Sequence, residues 1–336
     1  MVQPVPLAEI WRGPFLESVH LGHAVIVDGT GQIVEAWGDP SVTVLPRSSS
    51  KMLQALPLIE SGAADAFGLG QEQLALACAS HNGAAIHTDR VRAWLDHIGM
   101  TDDDFRCGPQ EPGDKEARDA LICAHDAPCQ YHNNCSGKHS GFLTLNKHIG
   151  GDPEYVQTDH PIQRAVLDGF EDLTQEASPG FGIDGCSAPN FATSLLGMAR
   201  AMAFYANAKE GQGVRASAAA RLRDAMVAYP ELVAGEGRAC TELMRAMDGR
   251  VALKTGAEAF FIAIIPEKGW GIALKVADGT TRGAECAIAA LLVRHGLLDA
   301  EHPATRKRMN AVIRNWRGIE TGMIRPAEQI LPRANG

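Results

Sequence analysis

No run of apolar residues reaches the ~18–20 that a membrane-spanning helix needs. Positive charge is not in excess either. The chain has 40 acidic against 31 basic residues and a net charge of −9, which argues against a nucleic-acid backbone or an anionic membrane surface as partner. The stretch Met1–Arg12 carries Pro4, Pro6 and Glu9 and no cationic segment ahead of an apolar one. A secretory leader is therefore not expected, and a cytoplasmic location is. No two cysteines stand in C-x-x-C spacing, so a zinc ribbon or dithiol redox motif is missing. The 8 cysteines are scattered from Cys78 to Cys286 and read as small buried hydrophobes rather than a disulfide framework. There is no dinucleotide fingerprint, internal repeat or low-complexity segment. What remains is ordinary globular material: 336 residues, 45% hydrophobic and 21% charged, enough for one large domain or two smaller ones.

Val5 to Ser18 reads as an irregular lead-in with one short strand. His23–Asp28 and Gln32–Gly38 flank a glycine turn, a hairpin pattern. From 61 to 240 the chain is mostly helix and loop. Helical spacing appears at Gln71–Ala79, Thr88–Gly99, Lys115–Cys123, His160–Leu173, Phe191–Lys209 and Ser217–Tyr229. Pro128–Gly141 is a polar segment and Gly180–Pro189 a glycine-rich loop. The pattern then switches to strands at 251–256, 259–265 and 271–276, a helix over Thr281–His295 and a closing helix over 303–313. Strands at both ends around a helical middle predict an α+β fold, with one antiparallel sheet drawn from the two termini. The expected organisation is a single catalytic unit: a sheet subdomain of about 1–46 plus 250–336, and a helical subdomain of about 47–249.

Arg47-Ser48-Ser49-Ser50-Lys51 opens the first helical run. Serines there can be plain caps. Ser48 and Lys51, however, stand at i and i+3, where a hydroxyl and an amine share a helix face. Lys254-Thr255-Gly256 stands on the first late strand. S-x-x-K at a helix start with K-T-G on a strand is the pairing of class A β-lactamases and penicillin-binding proteins. Their third motif, S-D-N, is absent; Ser80-His81-Asn82-Gly83 stands in its region. A lysine is a base only when neutral, against an ordinary pKa of about 10.4. Bringing Lys51 and Lys254 together in a buried site would favour that form.

These blocks, with Asn134-Cys135-Ser136-Gly137-Lys138-His139 and Gly182-Ile183-Asp184-Gly185-Cys186, resemble the rhizobial-type, thermolabile "asparaginase II" L-asparaginase family over nearly the whole chain. The resemblance implies a serine β-lactamase/penicillin-binding-protein-like fold, an amidohydrolase converting L-asparagine to L-aspartate and ammonia, and a homodimer. By residue match, Ser48 with Lys51 and Ser80 with Lys254 are the two Ser–Lys tandems. The family also implies a zinc ion (Zn2+) held by Cys135, Lys138 and Cys186, with a role in positioning substrate and water. On chemistry alone His139 would be the first choice of third ligand, because a lysine must lose a proton to ligate.

Asparagine is a zwitterion. Arg47, beside the nucleophile, is the candidate for its α-carboxylate and Asp184 for its α-ammonium. Asn134 and His139 join them as substrate-binding candidates, and backbone N–H groups at Ser48 and near Lys254 are candidate oxyanion donors. Taken singly, Arg47 and Asp184 read better as a surface ion pair or a turn former than as substrate contacts. His81 and Asn82 have no assigned role. The expected enzyme is an L-asparaginase; the alternatives are a β-lactamase or D-Ala-peptidase relative, or an inactive asparagine-binding protein.

Overall fold

The computed structural model describes residues 3–331; the outermost residues of the expected unit, 1–2 and 332–336, lie outside that range. The architecture is α+β. Its sheet comes from N- and C-terminal strands and its helices mostly from the middle. The chain divides into two compact units, residues 1–49, 193–207 and 242–336, and residues 50–192 and 208–241.

The first unit is built on an 8-stranded sheet, every pairing in it antiparallel. Its strands are β1 (Val5–Arg12), β2 (Phe15–Val27), β3 (Ile33–Trp37), β4 (Ala252–Gly256), β5 (Phe260–Ile265), β6 (Trp270–Val276), β7 (Ala311–Arg314) and β8 (Glu320–Pro326). They lie in the order β7-β8-β1-β2-β6-β5-β4, with β3 also on β2. Every residue of β5 is buried, the mark of a strand covered on both faces. Helices Leu195–Asn207 and Thr281–Arg294 pack on these central strands. Gly271 permits the first of them: a Cβ there would lie 2.2 Å from Ala199 O.

Two expectations change. The lead-in is not irregular but the hairpin of β1 and the 13-residue β2. Pro6 is tolerated because the register slips between Pro6 and Ala8, where a missing N–H breaks no ladder. The closing helix shrinks to Pro303–Arg306, and β7 and β8 follow it. β8 pairs with β1, so its strand state depends on a partner some three hundred residues away in sequence.

The second unit is helical. Lys51–Gln54 and Leu56–Glu60 are separated at Ala55, with Pro57 in the first turn of the latter, where proline's missing N–H costs nothing. Gln71–Ala77 packs against Val214–Ala228 and Ser136–Ile149. Ser136–Ile149 falls on the segment that sequence shows only as polar. It is a helix with every residue from Ser136 to Asn146 buried. Its hydroxyls are satisfied internally: Ser140 Oγ donates to Ser136 O at 2.9 Å and Thr144 Oγ1 to Ser140 O at 2.8 Å. The glycine-rich loop contains a small hairpin, Phe181–Ile183 against Pro189–Phe191. Among the described residues no helix is long and apolar enough to cross a membrane.

Candidate active site

The candidate residues fall into two groups, because residues to Ser49 count with the sheet unit and those from Ser50 with the helical unit. Arg47–Ser50 form a single 3-10 turn. Arg47 has φ 51°, a left-handed conformation that costs a non-glycine residue roughly 1–3 kcal/mol and persists where surroundings enforce it. The enforcement is visible. Ser49 N donates to Pro46 O at 3.0 Å and Ser49 Oγ to Lys254 O at 3.0 Å, pinning the turn to β4. Half-buried Ser48 lies inside this turn. Lys254 is 1% exposed, and its Nζ donates to Thr255 O at 2.8 Å.

The glycine of K-T-G has a steric reason. A Cβ on Gly256 would stand 2.5 Å from Pro46 O and 3.0 Å from Ser49 Oγ. Gly256→Ala must therefore push the Pro46–Ser49 segment off β4. The expected cost is about 2 kcal/mol of stability, read from urea unfolding, with a larger fall in turnover than in substrate affinity. An unchanged enzyme would mean the turn is not held by this contact.

In the helical unit, Lys51 is 0% exposed and its Nζ donates to Ala79 O, the carbonyl immediately before Ser80. Ser50, at the N-cap, makes no side-chain cap bond, so the plain capping role is not realised there. Ser80 N donates to Val233 O at 2.9 Å and His81 N to Asn134 O at 3.1 Å. His81, which sequence left unassigned, ties these segments together. Its Nδ1 accepts from Gly83 N at 3.1 Å, so Nε2 carries the proton toward Ser136 Oγ at 2.9 Å. Burial pushes its pKa well below the usual imidazole range, helped by His87, on which its ring stacks at 4.8 Å, and by Lys51. It is a neutral strut.

Lys138 Nζ donates to Cys186 Sγ at 3.0 Å. Cys186 is held well below the usual thiol range by the Cys135 thiol and, against its burial, by Lys138. Cys135 is held well above that range by its hydrogen bond to Cys186 and by burial. One thiol has one proton, so Cys135 shares it between Cys186 and Asn134 Oδ1, 3.0 Å away. Burial alone would push the Lys138 amine down, but the Cys186 and Cys135 sulfurs outweigh it and hold it above the ordinary lysine range. The trio is thus ammonium, thiolate and thiol. Asp184, half-buried in the adjoining turn, accepts from Gly185 N at 2.8 Å and adds to the field on Lys138.

This chemistry corrects the expectation of zinc. Among the described residues no group of three or more His, Cys, Asp or Glu side chains could hold a metal ion. Lys138 Nζ, the expected nitrogen ligand, instead donates to Cys186 Sγ. Cys135, Lys138 and Cys186 form a self-satisfied ionic cluster instead of a metal-binding set.

His139 is buried, and burial lowers its pKa. Tyr155 OH accepts from Arg106 N at 2.8 Å and so donates to His139 Nδ1 at 2.9 Å. The ring proton is then on Nε2, and a hydrogen bond with Cys186 raises the ring's pKa against its burial. Tyr155 lies in a polar loop, and nothing in its sequence context marks it.

The family model described as L-asparaginase II matches residues 8–326. No curated protein matches the chain. Similar solved structures include a putative β-lactamase from Bacteroides dorei, 12% identical over 80% of this chain and 92% of that one, with a TM-score of 0.43. A β-lactamase from Mycobacterium bovis is 13% identical over 87% and 96%, at 0.44. The octameric penicillin-binding protein homologue from Pyrococcus abyssi is 13% identical over 88% and 80%, at 0.36.

Proposed function

The chain belongs to the L-asparaginase II family, and from that premise we propose that it hydrolyses L-asparagine to L-aspartate and ammonia through an acyl-enzyme. The family match over residues 8–326 carries this reading. Ser48 Oγ attacks the side-chain amide carbon and the Lys51 amine takes its proton. Ammonia leaves with a proton returned to it, and water then releases aspartate. Ser80 and Lys254 relay protons. In support, Lys51 and Lys254 are both almost wholly buried. The turn carrying Ser48 is strained and pinned to the Lys254 backbone.

Arg47, Asn134 and His139 make up the substrate-binding set of this proposal. The Nε2–H of His139, buried beside Cys186, is the donor this reading gives to a substrate oxygen. Tyr155→Phe removes the hydroxyl that fixes that tautomer. It is expected to raise KM for asparagine about 5–10-fold, the worth of roughly one buried hydrogen bond, with kcat within about twofold. Steady-state kinetics check it, and an unchanged KM removes His139 from the set.

The test of the whole reading is ammonia and aspartate released in equal amounts from asparagine by the purified protein. Turnover of nitrocefin with no ammonia from asparagine would replace it with β-lactam chemistry. Binding of asparagine without release would replace it with a binding protein.

A further inference from the structure

The sheet unit contains a cavity of about 500 Å³ lined by His23, Thr43, Leu45, Arg47, Glu258 and Lys275, among others. Its position follows from the register of the sheet. Directly opposed residues of antiparallel strands project to the same face, as do residues two apart on one strand. Lys254 opposes Ile262, Ile262 opposes Ala273, and Lys275 opposes His23. Lys275 and His23 therefore share the sheet face of Lys254. Helix Leu195–Asn207 closes that face at Gly271, and the cavity lies toward the Lys275 end of β6. It borders the turn that carries Ser48, since Arg47 is part of its wall.

Its polar groups are of complementary charge. Lys275 is half-buried, and two of its three N–H bonds go to Glu258 O and Val276 O, both at 2.6 Å. The ammonium is thereby fixed, with one donor left over. Glu258 is exposed and has left-handed backbone, φ 57°, as has Ala259, φ 56°. Both lie in the turn joining β4 to β5, where reversing the chain calls for φ > 0, and that turn presents the Glu258 side chain to the cavity. The remaining wall is aliphatic.

We propose that this cavity holds the backbone end of the amino-acid substrate, with its α-carboxylate on Arg47 and Lys275 and its α-ammonium on the Glu258 carboxylate. The inference rests on the asparaginase reading and deepens it: the substrate class is an amino acid free at both α-groups. Lys275 and Glu258 become specificity-determining residues. Asp184, the carboxylate the sequence offers for the ammonium, is already engaged with Gly185 N and faces the Lys138 charge.

Succinamate, which is asparagine without the α-amino group, isolates the claim. Wild type is expected to prefer asparagine to succinamate in kcat/KM by roughly 10–100-fold, the worth of one charged hydrogen bond. Glu258→Gln is expected to lower kcat/KM for asparagine by about that factor. The same variant should leave succinamate within about twofold, so that the preference collapses. A purely structural role would lower both substrates together. Lys275→Met is expected to raise KM for both, and Asp184→Asn to keep the preference. If Glu258→Gln retains the wild-type preference, or Asp184→Asn abolishes it, the proposal is overturned. Failure of the asparaginase reading would look different, with no ammonia from any substrate by wild type. In that case calorimetry with L-aspartate still decides: binding lost in Glu258→Gln supports the cavity, and equal binding refutes it.

Discussion

Ser48→Ala is expected to cut ammonia release from asparagine by ~10⁴-fold or more, the usual consequence of removing a nucleophile that acts as a unit with its base. The fold should survive the change. Ser48 is half-buried, and the turn around it is held by Ser49 and by the close approach at Gly256 rather than by Ser48 itself. Removing one hydroxyl there costs about 1 kcal/mol at most. Kinetics and stability thus separate: near-normal urea unfolding with almost no turnover. Ser80→Ala provides the contrast. A proton relay contributes roughly 10²–10⁴-fold, so its loss should be smaller, and water can replace part of it. Mass spectrometry of protein quenched during turnover should place a +aspartyl adduct on the Ser48 peptide. Full activity in Ser48→Ala, or an adduct on Ser80 alone, would transfer the nucleophile's role away from Ser48.

The parts of this molecule that sequence discloses are those whose local pattern and tertiary environment agree. The unbroken apolar run of β5 marks a doubly covered strand, and the alanine-rich repeat of Thr281–Arg294 marks a helix packed on a sheet. K-T-G and S-x-x-K are visible because each is a short run of fixed spacing, one on a strand and the other on the turn that leads into a helix. Other features are set by partners distant in the chain. β8 is a strand because β1 offers it an edge, while residues 303–313, just before it, carry helix formers. The ionic state of the sulfur cluster depends on Lys138 meeting Cys186 across 48 positions. The ligand set implied by resemblance brings those residues together but does not show that the lysine donates a hydrogen bond to the sulfur. Tyr155 acts through the same kind of distant meeting, on His139. Sequence could name His139 but not what fixes its tautomer.

The helix Ser136–Ile149 defeats periodicity for a different reason, and it carries the second large prediction. Glycines, hydroxyls, Lys138 and His139 fill its first turns, which are buried all round, so no apolar stripe runs along it. By propensity alone, Gly137→Ala should stabilise it by about 1 kcal/mol. The structure reverses the sign. A Cβ at 137 would stand 2.3 Å from Leu76 O and 2.9 Å from Leu76 C. These are backbone atoms of helix Gln71–Ala77, and no side-chain rotamer can relieve the overlap. The two helices must part, and overpacking of this kind costs roughly 1–3 kcal/mol or more. Net destabilisation of about 2–3 kcal/mol is expected, read as a lower urea midpoint at unchanged slope. Gly141→Ala is the control. There the nearest atom is the flexible Leu58 Cδ2 at 3.3 Å, so the gain in propensity and the small clash should cancel within about 1 kcal/mol. Activity should fall further than stability in the Gly137 variant. Cys135, Lys138 and His139 all sit on the turn that must move, and a displacement near 1 Å at positioned groups can cost about 10²-fold in rate. Equal midpoints for the two variants would show that the helices are not locked at Gly137. Normal kinetics in a destabilised Gly137→Ala would detach this helix start from the chemistry.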